Sequence, residues 1–276
     1  MSLREILAGP ALGLWRLARL VHPAEESSFR ILLFHDIPQS QRQAFQSLVG
    51  GLAARNALID PAEAARRLGG GGGKPGVLLS FDDGFVSNLA VAETVLAPLG
   101  AKALFFVCPG LMELSGEAQG AAIAANILRG RREAPEAVMD WAAVERLRAA
   151  GHVIGNHTLD HRRLSDLSPG QRAEQIGRSA EMLTARLGER ADWFAYTFGD
   201  VASIDAAALA EIGRHHRFCR SGVRGSNDSD TPPLALRGNH VDLAASPAWQ
   251  ALAVEGGLDF RYRAQRCRLD GMVNGL

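Results

Sequence analysis

VLLSFDDGF, residues 77–85, drives an apolar run straight into two adjacent carboxylates, Asp82 and Asp83, followed by a glycine and an aromatic. The hydrophobicity is continuous rather than alternating, the pattern of a strand covered on both faces, as in parallel sheets. Two like charges at its end repel, and burying both without a cation or a proton is costly. Either the pair faces solvent in an ordinary turn or something positive sits between its members. Asp-Asp-Gly alone reads more often as a turn; what lies elsewhere in the chain decides the matter.

Working outward, six further short apolar runs end in small or polar residues: 29–37, 101–110, 151–158, 192–200, 216–222 and 233–241. Between several of them the pattern turns helical, at 45–55, 61–68, 87–99, 141–150, 169–187 and 204–215. Strand and helix in alternation predict a parallel α/β fold, and seven strands predict a deformed (β/α) barrel rather than an open sheet. The expected organisation is an N-terminal amphipathic helical segment (1–28), a catalytic barrel (29–245) and a C-terminal extension (246–276). Five glycines at 69–73 read as a slack connector, and 111–136 as a helical insertion and lid.

Thirty basic and thirty acidic residues cancel in this chain of 276, which argues against a nucleic-acid partner and leaves a neutral substrate such as a sugar open. Cys108, Cys219 and Cys267 form no C-x-x-C pair and read as buried free thiols. Near the start, Arg4, Glu5, Arg16 and Arg19 interrupt any signal-peptide core. Leu3, Ile6, Leu7, Leu14, Leu17 and Leu20 partly share one helical face instead. No stretch is long and apolar enough to span a bilayer. The expected location is therefore the cytoplasm, with peripheral membrane contact through that helix.

Side chains at the carboxyl ends of parallel strands gather at one rim. Here they are His35 and Asp36, Asp82 and Asp83, Asn156 and His157 with His161, and Arg237 with His240. Histidine with carboxylate is an N/O donor set suited to zinc or a similar divalent ion. A divalent ion makes hydroxide available near neutral pH, and an unligated carboxylate beside it can take the proton. The bland readings are that His35 is a core histidine, that His152 is structural, and that His215 and His216 cap a helix end. Trp141, Trp193 and Tyr196 read as core aromatics or as platforms for a sugar ring.

SFDDG and HTLDH, in that order, resemble the first two motifs of the polysaccharide deacetylases, carbohydrate esterases with a NodB-like domain. FAYTFGD is similar to a variant of the third motif, and LLFHDI to the opening of the circularly permuted branch. The resemblance runs from Ile31 to about Val241. It implies Asp83, His157 and His161 as ligands of a divalent ion, zinc first with cobalt or nickel as alternatives. It further implies Asp82 as general base, His35 as general acid with His240 as a competitor, and the Phe198 N–H as an oxyanion donor. Tyr196 and Arg237 fall in with substrate or oxyanion binding. The activity implied is removal of N-acetyl groups from an amino sugar in an oligosaccharide, glycan precursor or glycolipid. Alternatives are hydrolysis of a small non-sugar amide or imide, and glycan binding without catalysis. The third motif departs from the family pattern: Ala195 stands where many members carry an arginine that pairs with the catalytic aspartate, and Thr197 where they carry proline. Arg237 is the candidate to supply the missing charge.

Overall fold

The computed structural model describes residues 3–130 and 137–276. In chain order the elements are α1 (Leu3–Val21), β1 (Phe29–Phe34), α2 (Arg42–Ala54), α3 (Pro61–Leu68), β2 (Gly76–Phe81), α4 (Val86–Val91) and β3 (Ala103–Val107). After them come α5 (Pro109–Met112), α6 (Gly116–Ala122), α7 (Trp141–Ala149), β4 (Val153–Asn156), α8 (Pro169–Ala173), α9 (Ser179–Leu187) and β5 (Trp193–Ala195). The chain ends with α10 (Ala206–His215), β6 (Phe218–Arg220), β7 (Gly238–His240), α11 (Pro247–Glu255) and α12 (Arg263–Asn274).

All seven strands pair parallel in one sheet, ordered β6-β5-β4-β3-β2-β1-β7. The two edges nearly meet. The Leu236 N–H donates to the Cys219 carbonyl (2.9 Å) and the Ser221 N–H donates to the Leu236 carbonyl (2.8 Å), so a single parallel bridge closes the barrel. Each of the seven apolar runs contains one strand.

Their continuous hydrophobicity has the expected cause, since both strand faces are buried. Ile31, Leu78, Leu104, Phe106, Trp193 and Phe218 pack together inside the barrel, with Ala64 of α3 beneath them. The alternate residues Leu32, Phe34, Leu79, Phe81, Phe105 and Val107 face outward and meet Phe45 and Val49 of α2. The rings of Phe81 and Phe105 stack at 4.7 Å on neighbouring strands. α3 begins where Asp60 accepts from the Glu63 N–H and Pro61 takes the first helical turn.

Two readings change and a third stands only in part. Gly69–Gly73 is not slack: Arg66 donates to the Gly72 carbonyl and the buried Arg67 to the Lys74 carbonyl, which binds the loop to α3. Cys108 and Cys219 are buried, but Cys267 is exposed on α12. The insertion is helical over α5 and α6, while its stretch 131–136 lies outside the described residues. No described helix is long and apolar enough to cross a membrane.

Candidate active site

Asp82 and Asp83 leave β2 at the carboxyl end of the barrel, both buried. Strand alternation turns Asp82 inward. Asp83 is then swung round by a left-handed backbone (φ 69°), an uncommon conformation for an aspartate and one that clusters at functional sites. Gly84 follows, also at positive φ (72°), where a Cβ would press on Val107.

His157 emerges from β4 and His161 follows in a tight loop, not a helix. Asn156 Oδ1 accepts from the Thr158 N–H, Thr158 Oγ1 accepts from the His161 N–H, and Thr158 and His161 both adopt positive φ. The i, i+4 spacing is therefore converted into convergence by two left-handed residues rather than by a helical turn.

The result is a tight donor cluster. His161 Nε2 lies 3.1 Å and His157 Nε2 3.3 Å from the same oxygen, Asp83 Oδ1. The opposite ring nitrogens are committed: His157 Nδ1 to the Ala195 carbonyl at 2.7 Å, and His161 Nδ1 to the Asn126 carbonyl at 3.2 Å. A carbonyl only accepts, so Nδ1 carries the hydrogen and Nε2 presents a lone pair. Three lone-pair atoms thus face one another in a buried site, and Asp83 Oδ1 has no hydrogen-bond donor among the described residues. A divalent cation resolves that conflict, and two imidazoles with one carboxylate are the donors such an ion takes. Burial opposes ionisation of Asp83, and only a proton on the facing Nε2 atoms would let the two histidines outweigh it and hold the carboxyl well below the usual carboxylate range. Burial likewise pushes the His157 imidazole down, and Asp82 and Asp83 more than reverse it, so the cluster calls for a positive charge, proton or cation, at Nε2.

Asp82 stands beside this cluster, its Oδ2 4.0 Å from His157 Nε2, while its Oδ1 accepts a short bond from Arg220 Nη2. Arg220 is fully buried inside the barrel, and it is the residue the sequence reading missed. It sits directly opposite Ala195 in the β5–β6 ladder. The charge absent from the third motif is thus supplied one strand over, a step of about 4.8 Å. Gly238 makes room for it: a Cβ there would lie 3.0 Å from the Arg220 side chain. Arg237 does not fill this role. Alternation turns it out of the barrel, where it pairs with Asp270 of α12 at 2.7 and 2.8 Å.

Tyr196 is also corrected. It too points outward, is buried, and donates to the Gly199 carbonyl (3.0 Å), which braces the turn instead of meeting substrate. Trp193 lies inside the barrel and Trp141 donates to Glu113, so neither forms a sugar platform at the mouth. Phe198, at φ 65°, packs its ring 4.9 Å from His161, and its N–H has no acceptor among the described residues. His35 is exposed at the rim, one residue past the Phe34–Phe81 pairing, hence level with Asp82. Asn88 holds its carbonyl at 2.8 Å. The His240 ring is 5.8 Å away from that of His35, two residues lower in register, opposite Leu33. The insertion contributes Asn126, a brace behind His161.

The family model described as polysaccharide deacetylase matches residues 69–215, more than half the chain. Among solved structures, the fold is similar to the Streptococcus pyogenes deacetylase PplD, whose structure is in complex with acetate. That likeness has a TM-score of 0.68 and 18% identity, over 83% of this chain and 99% of that one. IcaB from Ammonifex degensii is similar at a TM-score of 0.62 and 23% identity, over 82% and 95% of the two chains. In sequence, 65 residues are 37% identical to the uncharacterized protein YlxY of Bacillus subtilis (strain 168). They span 23% of this chain and only 20% of that relative. The two structural likenesses speak for the fold, and the matched span contains both the Asp-Asp-Gly turn and the His-x-x-x-His loop. The chain belongs to the polysaccharide deacetylase family, hydrolases that act on amide bonds.

Proposed function

We propose that the protein is a divalent-metal-dependent deacetylase that removes N-acetyl groups from amino sugars of an oligosaccharide, glycan precursor or glycolipid. One observation carries the reading: a buried, donorless Asp83 Oδ1 faced by two imidazole Nε2 atoms whose tautomers are fixed from behind.

Asp83, His157 and His161 would hold the ion, with zinc favoured by the donor set and cobalt or nickel as alternatives. When bound it supplies Lewis acidity toward water and the acetyl oxygen. Asp82 is the general base. Arg220 occupies its Oδ1 and fixes its rotamer, leaving Oδ2, on the His157 side, to accept the water proton. The Phe198 N–H donates to the oxygen that gains charge as the carbonyl becomes tetrahedral. His35, level with Asp82 and exposed to the mouth, hands a proton to the departing amine, and acetate leaves. His240 sits lower in the wall and is the weaker candidate for that step.

The first test is metal content of the purified protein beside Asp83→Ala and His157→Ala, with acetate release from acetylated chitooligosaccharides. About one divalent ion per chain is expected, lost in both variants together with activity. A wild-type protein that takes up no metal when zinc or cobalt is supplied would overturn the reading. Small cyclic amides in the same assay separate the sugar substrate from the non-sugar alternative.

A further inference from the structure

Helix α1 is apolar on the wrong side. Its inward stripe, Glu5, Ala8, Leu12, Trp15 and Arg19, is the less exposed one, and Trp15 Nε1 and Arg16 both bond Glu255 at the end of α11. At 3.6 residues per turn the opposite stripe carries Ile6, Leu7, Leu14, Leu17, Leu20 and Val21. These six side chains are 53–80% exposed. Pro10 and Gly13 lie between them, so no polar residue interrupts the outward face. Scattered exposed leucines are ordinary, but a contiguous apolar ridge of this length calls for a partner.

The charges around the ridge select the partner. Arg4 and Arg16 lie on its two borders, both more than half exposed but paired with Asp242 and Glu255, so the unpaired charge lies at the far end of the helix. The only acid in α1, Glu5, is turned inward, where it accepts from the Ser246 N–H. Beyond the far end of the helix, Phe260 is 77% exposed and lines one cavity of about 820 Å³ with Trp15 and Arg19. Arg261 and Arg263 follow Phe260 in sequence, exposed, and neither has an acidic partner among the described residues. A second copy of the chain docked on this face would offer Arg261 and Arg263 no carboxylate from the ridge itself, whose one acid, Glu5, is turned inward. An anionic bilayer complements both features, apolar ridge into the acyl boundary and arginines at the headgroups.

We propose that the outward stripe of α1, with Phe260, docks the protein onto an anionic lipid bilayer. The helix begins at the mouth of the barrel, where Arg4 pairs with Asp242, two residues past His240, and it ends beside Glu255 toward the other end. It therefore lies along the barrel wall, and in a docked molecule the barrel axis runs along the bilayer with the mouth opening sideways just above the headgroups. Resting on the deacetylase reading, this placement names the substrate class as amino sugars carried at a bilayer surface, such as glycolipids.

The test is co-sedimentation of the full chain with phosphatidylcholine vesicles, with and without phosphatidylglycerol. Wild type is compared with the doubly substituted Leu14→Glu/Leu17→Glu. Wild type should sediment with the phosphatidylglycerol vesicles, and less with phosphatidylcholine alone. The variant should bind at least about tenfold more weakly, with its melting temperature unchanged because both leucines project into solvent. Binding is read without any activity, so loss of the deacetylase reading would leave this result intact. Wild type that stays in the supernatant, a variant that binds as wild type does, or a lipid-free dimer that the same substitutions dissolve would each overturn the proposal.

Discussion

Asp82 and Arg220 form a buried ion pair whose members come from strands β2 and β6, and neither has water to fall back on. Truncating one partner of such a pair leaves the other charge desolvated and typically costs about 3–5 kcal/mol. Arg220→Ala is thus expected to lower stability by that order in a urea titration and to cut kcat by about 10²-fold or more, through loss of the orientation of Asp82, the proposed base. Metal content should persist, since Arg220 touches none of the three proposed ligands Asp83, His157 and His161. Adding Ala195→Arg to that variant returns a guanidinium to the adjacent inward position and should recover part of the activity. Failure of the second-site change would show that the strand of origin matters as well as the charge. The sequence made Asp82, Asp83, His157 and His161 legible because two short motifs carry them. It misdirected the search for the countercharge because Arg237 and Arg220 both end short apolar runs. Only the alternation within each strand, inward at Arg220 and outward at Arg237, separates them, and one residue of register error inverts that assignment.

Two histidines outside the site set how the elements respond to acid. His152 stands just before β4, where its Nδ1 accepts from the Ala103 N–H at the start of β3; burial, with Lys102 adding to it, pushes the ring down to about 4. His216 caps α10 ahead of β6. It bonds the Ala191 carbonyl through Nδ1 and meets the Asn156 amide through Nε2, and burial pushes it to about 4 as well. In the unfolded chain both rings take a proton near 6.5, but the folded protein refuses it until about 4. The unfolded state therefore binds more protons in this window. Stability is complete above about 6.5 and falls as pH drops toward 4. Unfolding free energies measured across that window should slope more steeply for wild type than for His152→Gln/His216→Gln. Equal slopes would show that other groups govern the acid limb. All seven strands could be placed from sequence because continuous apolar runs of strand length, set between helical patterns, are the signature of a doubly covered parallel sheet. The HTLDH loop was less legible: its geometry depends on left-handed Thr158 and His161, which no periodicity announces.

At the scale of the whole molecule the barrel is held unevenly. β1 and β2 pair over six residues, whereas β6 and the residue after it meet the segment before β7 through the two backbone hydrogen bonds of Leu236, with Ser221 Oγ donating to the same carbonyl. Local opening begins where few buried bonds must break, so the amides of Leu236 and Ser221 should exchange with deuterium sooner than those of Leu79 and Phe105 in the centre of the sheet. Uniform protection around the wall would refute that order. Arg220 is the residue bridged to Leu236. Whenever this seam breathes, the guanidinium that holds Asp82, the proposed base, goes with it. Warming should accordingly silence the enzyme below the temperature at which it melts, with activity returning on cooling because the rest of the wall has stayed shut.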